Sequence, residues 1–245
     1  MRHLLLIGAS LAIAGCGTVA QETGGTSAGA SGTGASRSYD ATGFTSVELR
    51  GSDNVDVRHG DGFSVRAEGN SKLLDELDVR MSGDRLVIGR KNSGSWLWHN
   101  RGGSDGSVRV FVTLPRATGA SVSGSGDLTL DLGEGDFSGS VAGSGSLRVA
   151  ELRADKANLS IAGSGDMTIA GTGHAIDASI AGSGNMDLGG LTVETASFST
   201  AGSGDVRATV TQSADISIVG SGDIDIRGGA KCSISKTGSG DARCG

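Results

Sequence analysis

The chain of 245 residues has one proline, one tyrosine and two tryptophans, and aromatic residues make up 3% of it. So little ring volume argues against the core of an ordinary α/β enzyme. Positive charge is scarce too. Lys and Arg number 21 against 27 Asp and Glu, for a net charge of −6. They form no basic stripe, which argues against nucleic acid as a partner. The histidines His3, His59, His99 and His174 lack metal-ligand spacing. There is no G-x-S-x-G elbow and no phosphate loop ending in GK[ST]. What abounds is glycine, 44 residues without a strict period of three, so collagen is excluded. Small and β-branched apolar residues alternate with Ser, Thr, Asp and Arg, which is the signature of strands.

The first residues address the chain. Leu4 to Ala14 is an apolar run too short to span a bilayer. It suits the h-region of a secretory signal. The run ends Ile13-Ala14-Gly15-Cys16, which resembles the lipobox of bacterial lipoproteins. That resemblance implies a signal over 1–15, lipid on Cys16 and a membrane held through acyl chains. Gly17 stands where an Asp would favour inner-membrane retention, so the outer membrane of a Gram-negative envelope is expected. Residues 16–37 read as a Gly/Ser-rich linker without apolar periodicity, with a reach of about 20–25 Å. The folded domain is expected over 38–245.

An internal repeat organises that domain. Gly-Ser-Gly begins at Gly124, Gly143, Gly163, Gly182, Gly202, Gly220 and Gly238, at spacings of 19, 20, 19, 20, 18 and 18 residues. The residue after each motif is Asp127, Ser146, Asp166, Asn185, Asp205, Asp223 or Asp241. Two positions before the motif stand Val122, Val141, Ile161, Ile180, Thr200 and Ile218. The position after the Asp column holds Leu128, Leu147, Met167, Met186, Val206 and Ile224. Each repeat is therefore two short strands around a tight turn, with inward residues at period two. One unit of nineteen residues cannot bury its apolar side alone, whereas stacked units can. The expected fold is all-β, a right-handed parallel β-helix, its hand taken from the preference of parallel crossovers.

The amino-terminal part is less regular. Gly51-Ser52-Asp53-Asn54 is a weaker copy, flanked by Val47, Leu49, Val55 and Val57. Ser82-Gly83-Asp84 reads as a hairpin turn, and Leu73 to Leu77 as one helical turn. Pro115 ends a strand running from Val108 to Leu114.

Together the early VELRGSDNVDVRHG, the middle VRVFVTLP, the stretch ASVSGSGDLTL and the later GSGD repeats resemble the head GIN domain family over roughly residues 40–245. The resemblance implies a right-handed β-helix of surface or secreted bacterial proteins, carried here without a recognisable autotransporter barrel. The family's usual label is adhesin.

Three groups of residues are candidates for function. Asp127, Asp166, Asp205, Asp223 and Asp241 should line one edge, either capping turns or holding a row of Ca²⁺. The segment from Lys91 to Ser107 carries Trp96, Trp98 and Arg101, which either contact a sugar or protein ligand or fold back as a lid. Cys232 and Cys244 fall in inward columns of the last coils, and export makes a disulfide plausible. No catalytic residue is expected. A β-helix enzyme would need groove walls that these short loops do not supply. The expected partners are the membrane, through lipid, and a glycan or surface protein; the oligomeric state is left open.

Overall fold

The computed structural model describes residues 26–31, 35–91 and 107–245. Period-two burial sets the architecture. From Leu147 onward, alternate residues such as Val149, Leu159 and Ile161 are buried while their neighbours face solvent. Such a face needs a matching face one coil above and one below.

The strands in chain order are β1 (Thr26–Ser27), β2 (Gly29–Ser31), β3 (Ser36–Asp40), β4 (Ser46–Gly51), β5 (Asn54–His59) and β6 (Ser64–Glu68). The helix α1 (Ser71–Glu76) follows, then β7 (Leu77–Ser82), β8 (Arg85–Arg90) and β9 (Arg109–Leu114). The regular coils are built from β10 (Gly119–Gly124), β11 (Asp127–Glu134), β12 (Phe137–Gly143), β13 (Ser146–Gly163), β14 (Asp166–Gly182), β15 (Met186–Gly202) and β16 (Val206–Gly220). They end in β17 (Ile224–Arg227), β18 (Lys231–Gly238) and β19 (Ala242–Cys244).

The expected columns are in register. Val122 pairs with Val141, Val141 with Ile161, Ile161 with Ile180, and Ile180 with Thr200. Every pairing from β10 to β19 is parallel, which makes the fold a parallel β-solenoid with coils of about nineteen residues. The first coil is β4–β5, whose Gly51 lies beside Gly124. Glu48 ties it to the strand below. Burial alone would raise its carboxyl, but hydrogen bonds from Arg50 and Arg85 outweigh burial and hold it below the ordinary glutamate range.

Below the first coil the pattern turns antiparallel. β8 and β9 run parallel to β4 and β5, but β7 pairs antiparallel with β8, and β6 with β9. Gly83, at φ +64°, makes the β7–β8 hairpin, and Asn70 caps α1 by accepting the Lys72 N–H at 2.9 Å. Part of the segment read as linker is paired: β1 lies on β7, β2 on β3, and β3 on β6. Backbone pairing at a free strand edge needs no apolar side chain, so a Gly/Ser/Thr/Ala segment serves there.

One inward position is flawed. Thr200 occupies the Ile column at 1% exposure, and its hydroxyl has no hydrogen-bond partner. Thr200→Val removes the buried hydroxyl while keeping the shape. It should raise the unfolding free energy by about 1 kcal/mol in urea titration; an unchanged midpoint would show that the hydroxyl is satisfied in solution.

Candidate functional site

The site is the edge where the coils turn. At each turn the carbonyl of the first glycine accepts the N–H of the serine one coil further. Ser144 donates to Gly124 at 2.9 Å, Ser183 to Gly163 at 2.8 Å and Ser221 to Gly202 at 2.8 Å. Glycine is required because φ is positive, +134° at Gly182, and because a Cβ there would collide with the carbonyl of Gly163.

The Asp column forms a ladder beside these glycines. Asn185 N donates to Asp166 at 3.2 Å, Asp205 N to Asn185 at 3.3 Å, Asp223 N to Asp205 at 2.9 Å and Asp241 N to Asp223 at 2.8 Å. Ser146 closes onto Asp127 through its hydroxyl. The side chains therefore cap the next coil rather than their own turn. From Asp166 to Asp241 the side-chain acceptor of each rung meets a backbone donor of the next, which offsets the repulsion of stacked carboxylates. The alternative of a calcium row finds no donor set: among the described residues no three His, Cys, Asp or Glu are placed to hold a metal ion.

The last rung of the ladder among the described residues is Asp241. Here Lys236 replaces the inward Ile218 and reaches Asp241 Oδ1 at 3.3 Å and the Gly240 carbonyl at 3.2 Å. Cys232 and Cys244 lie opposite Ala214 and Ile226, as their columns require, and a disulfide joins them across a Cα separation of 6.4 Å. Cys244 is exposed.

At the other end the corner is replaced by a longer insertion. β8 and β9 flank the first coil as a corner's two strands would, but residues 91–108 connect them. Asp53 clamps both stems of this insertion. It is fully buried and accepts from Arg90 Nε at 2.7 Å, from Arg90 Nη2 at 2.5 Å and from Val108 N at 2.8 Å. Hydrogen bonding to Asp53 raises the Arg90 guanidinium further above its ordinary value. The candidate contacts Trp96, Trp98 and Arg101 lie outside the described residues, as does Cys16. The described stems of the insertion, at Arg90 and Val108, lie where the glycine corners line up.

Sequence reasoning missed a trough next to the ladder. Two positions after each ladder residue, the outward column reads Asp56, Thr129, Arg148, Thr168, Asp187 and Arg207. Between the two columns lies an open depression of about 470 Å³ from Ser146 to Arg207. A second, of about 210 Å³, continues it toward Asn54 and Arg109, and the two share Ser146 and Arg148. The trough runs about 29 Å at about 4.8 Å per coil. The side chains of Arg109, Arg148 and Arg207 make no hydrogen bond or ion pair with a described residue. The only signal in the sequence was the i+2 offset from the ladder.

The profile of one family, described as "Putative auto-transporter adhesin, head GIN domain", matches residues 43–230. The chain belongs to this family. No curated protein sequence matches it. Among solved structures, a protein from Bacteroides fragilis described as a "putative adhesin" superposes with a TM-score of 0.77 at 21% identity, over 87% of this chain and 97% of that one. A "putative lipid binding protein" from Parabacteroides distasonis gives 0.67 at 21% identity, over 88% and 98%. Another "putative adhesin" from Parabacteroides distasonis gives 0.63 at 21%, over 86% and 97%. These likenesses establish the head GIN solenoid as a fold. Both the family and these neighbours carry descriptions of adhesion or binding, and none of an enzyme. Among the described residues, no helix is long and apolar enough to cross a membrane.

Proposed function

We propose that this head GIN chain is a cell-envelope lipoprotein that acts as a non-enzymatic binding or adhesion module. Lipid on Cys16 holds it to the outer membrane, and its corner edge meets the ligand. The observation that carries this reading is the trough. It is continuous and polar, keeps three guanidiniums free of described partners, and lies on a scaffold in which each coil is hydrogen-bonded to the next. A rigid surface of preset polar groups loses little entropy on binding. A calcium-stabilised module is the weaker reading, because the ladder carboxylates already accept backbone N–H groups.

The test is retention of the purified full-length chain by a panel of envelope and host polysaccharides and surface proteins, with release of soluble fragments scored alongside. Retention without fragments is expected. Fragments would overturn the non-enzymatic assignment. In cells, Cys16→Ser should move the chain from the membrane to the soluble fraction; a membrane-bound Cys16→Ser chain would overturn the lipid anchor.

A further inference from the structure

We propose that the trough beside the ladder takes a linear, uncharged, hydroxyl-rich glycan, laid along the solenoid axis with one sugar unit against each coil. This rests on the binding-module reading and names its ligand.

Shape is the first reason. The two joined depressions are long and shallow, and only together do they run from Arg109 to Arg207. A compact ligand would leave most of that length empty, whereas a chain fills it. Period is the second. Each coil advances about 4.8 Å, close to the length of one hexose unit in an extended chain. An extended peptide advances about 3.3 Å per residue, so it loses register with the coils within a few residues. A glycan unit, nearer the coil spacing in length, drifts from register more slowly.

The chemistry of the walls is the third reason. A sugar hydroxyl both donates and accepts, so it needs donors and acceptors mixed at short range. Arg148 and Arg207 offer free N–H groups, Thr129 and Thr168 offer hydroxyls, and Asp187 and the ladder side chains offer oxygens. Asp187 already accepts the Gly189 N–H at 3.1 Å through Oδ1, which fixes its carboxylate and leaves Oδ2 for a ligand. At the end near residues 91–108, Phe111 pairs beside Asp56 in the same outward column and is half-buried. Its ring can take the apolar face of a terminal sugar.

Charge chooses among polymers. Aspartates outnumber arginines along the trough, so a polyanion meets net repulsion. Unpaired guanidiniums placed three coils apart, at Arg148 and Arg207, interrupt that negative charge, so a polycation meets like charge at those coils and loses part of its attraction. A neutral chain meets neither penalty.

The experiment is affinity electrophoresis of the full-length chain in detergent through gels containing hydroxyethylcellulose, laminarin, mannan or dextran, with polygalacturonate as the anionic comparison. Retardation by at least one neutral glycan is expected, little changed by salt, with none by polygalacturonate. Arg148→Ala combined with Arg207→Ala should weaken it roughly tenfold or more, the scale of losing charged hydrogen bonds. Asp187→Asn should weaken it less, and Ser179→Ala, on the strand before the corner, not at all. Far-UV dichroism checks that the variants fold. Retention that survives the paired arginine change but is lost on Trp96→Ala with Trp98→Ala overturns the trough and leaves the binding module standing. Retention only by polygalacturonate or by a surface protein does the same. Retention by nothing overturns both.

Discussion

Replacing Asp53 with alanine should lower the unfolding free energy by about 3 kcal/mol, the lower end of the range for breaking a buried ion pair. The lower end applies because Asp53 is fully buried whereas the Arg90 side chain keeps 26% of its surface in water. Without Asp53 the guanidinium retains, among the described residues, only a distant contact with Glu76, at 3.6 Å. Val108 N–H loses its acceptor as well, inside a buried corner. Asp53→Asn keeps an acceptor for Val108 and drops the charge, so it should cost less than alanine. The effect should also be local in origin. Both stems of the 91–108 insertion hang on this carboxylate, so limited proteolysis of Asp53→Ala should cut between Arg90 and Val108 well before the solenoid unfolds. A urea midpoint within error of wild type, with unchanged proteolysis, would mean that the clamp is replaceable by water.

That clamp also marks the limit of what the sequence displays. The inward columns were legible because burial at Val141, Ile161 and Ile180 restricts residue type at a fixed interval. The corners were legible because no other residue fits where one glycine carbonyl points into the next glycine. Asp53 stands where later copies carry the second glycine, and Arg90, 37 positions on, belongs to no repeat, so nothing local ties them. The trough was hidden for the opposite reason. Its residues face water, packing does not restrict them, and the column runs Thr129, Arg148, Thr168, Asp187, Arg207 without pattern. The ladder was half legible. Capping by aspartate follows from the residue type, but the direction of the cap, toward the next coil, depends on a neighbour that the sequence places nineteen residues away. Residues 26–31 misled because their composition is that of a linker, while strand pairing at an edge asks only for backbone.

The second large effect concerns the corner glycines. Gly182→Ala should cost on the order of 3 kcal/mol, from left-handed backbone strain of about 1–2 kcal/mol together with a collision. The collision is with the Gly163 carbonyl, which also accepts the Ser183 N–H at 2.8 Å, so relieving it breaks a bond between coils. Gly229→Ala separates the two causes. Gly229 has φ +80°, but a Cβ there meets nothing within 4 Å. It should show the strain alone and cost about 1–2 kcal/mol. Ser183→Ala, at an exposed position in the same corner, should stay within about 0.5 kcal/mol of wild type. Because a solenoid holds together through contacts between neighbouring coils, a defect at a central corner should also split the unfolding transition, with the coils after Gly182 melting before those preceding it. Denaturant titration followed by hydrogen exchange on the inward columns reads both quantities. Equal costs for Gly182→Ala and Gly229→Ala would remove the collision from the account, leaving backbone strain as the whole reason for glycine at the corner.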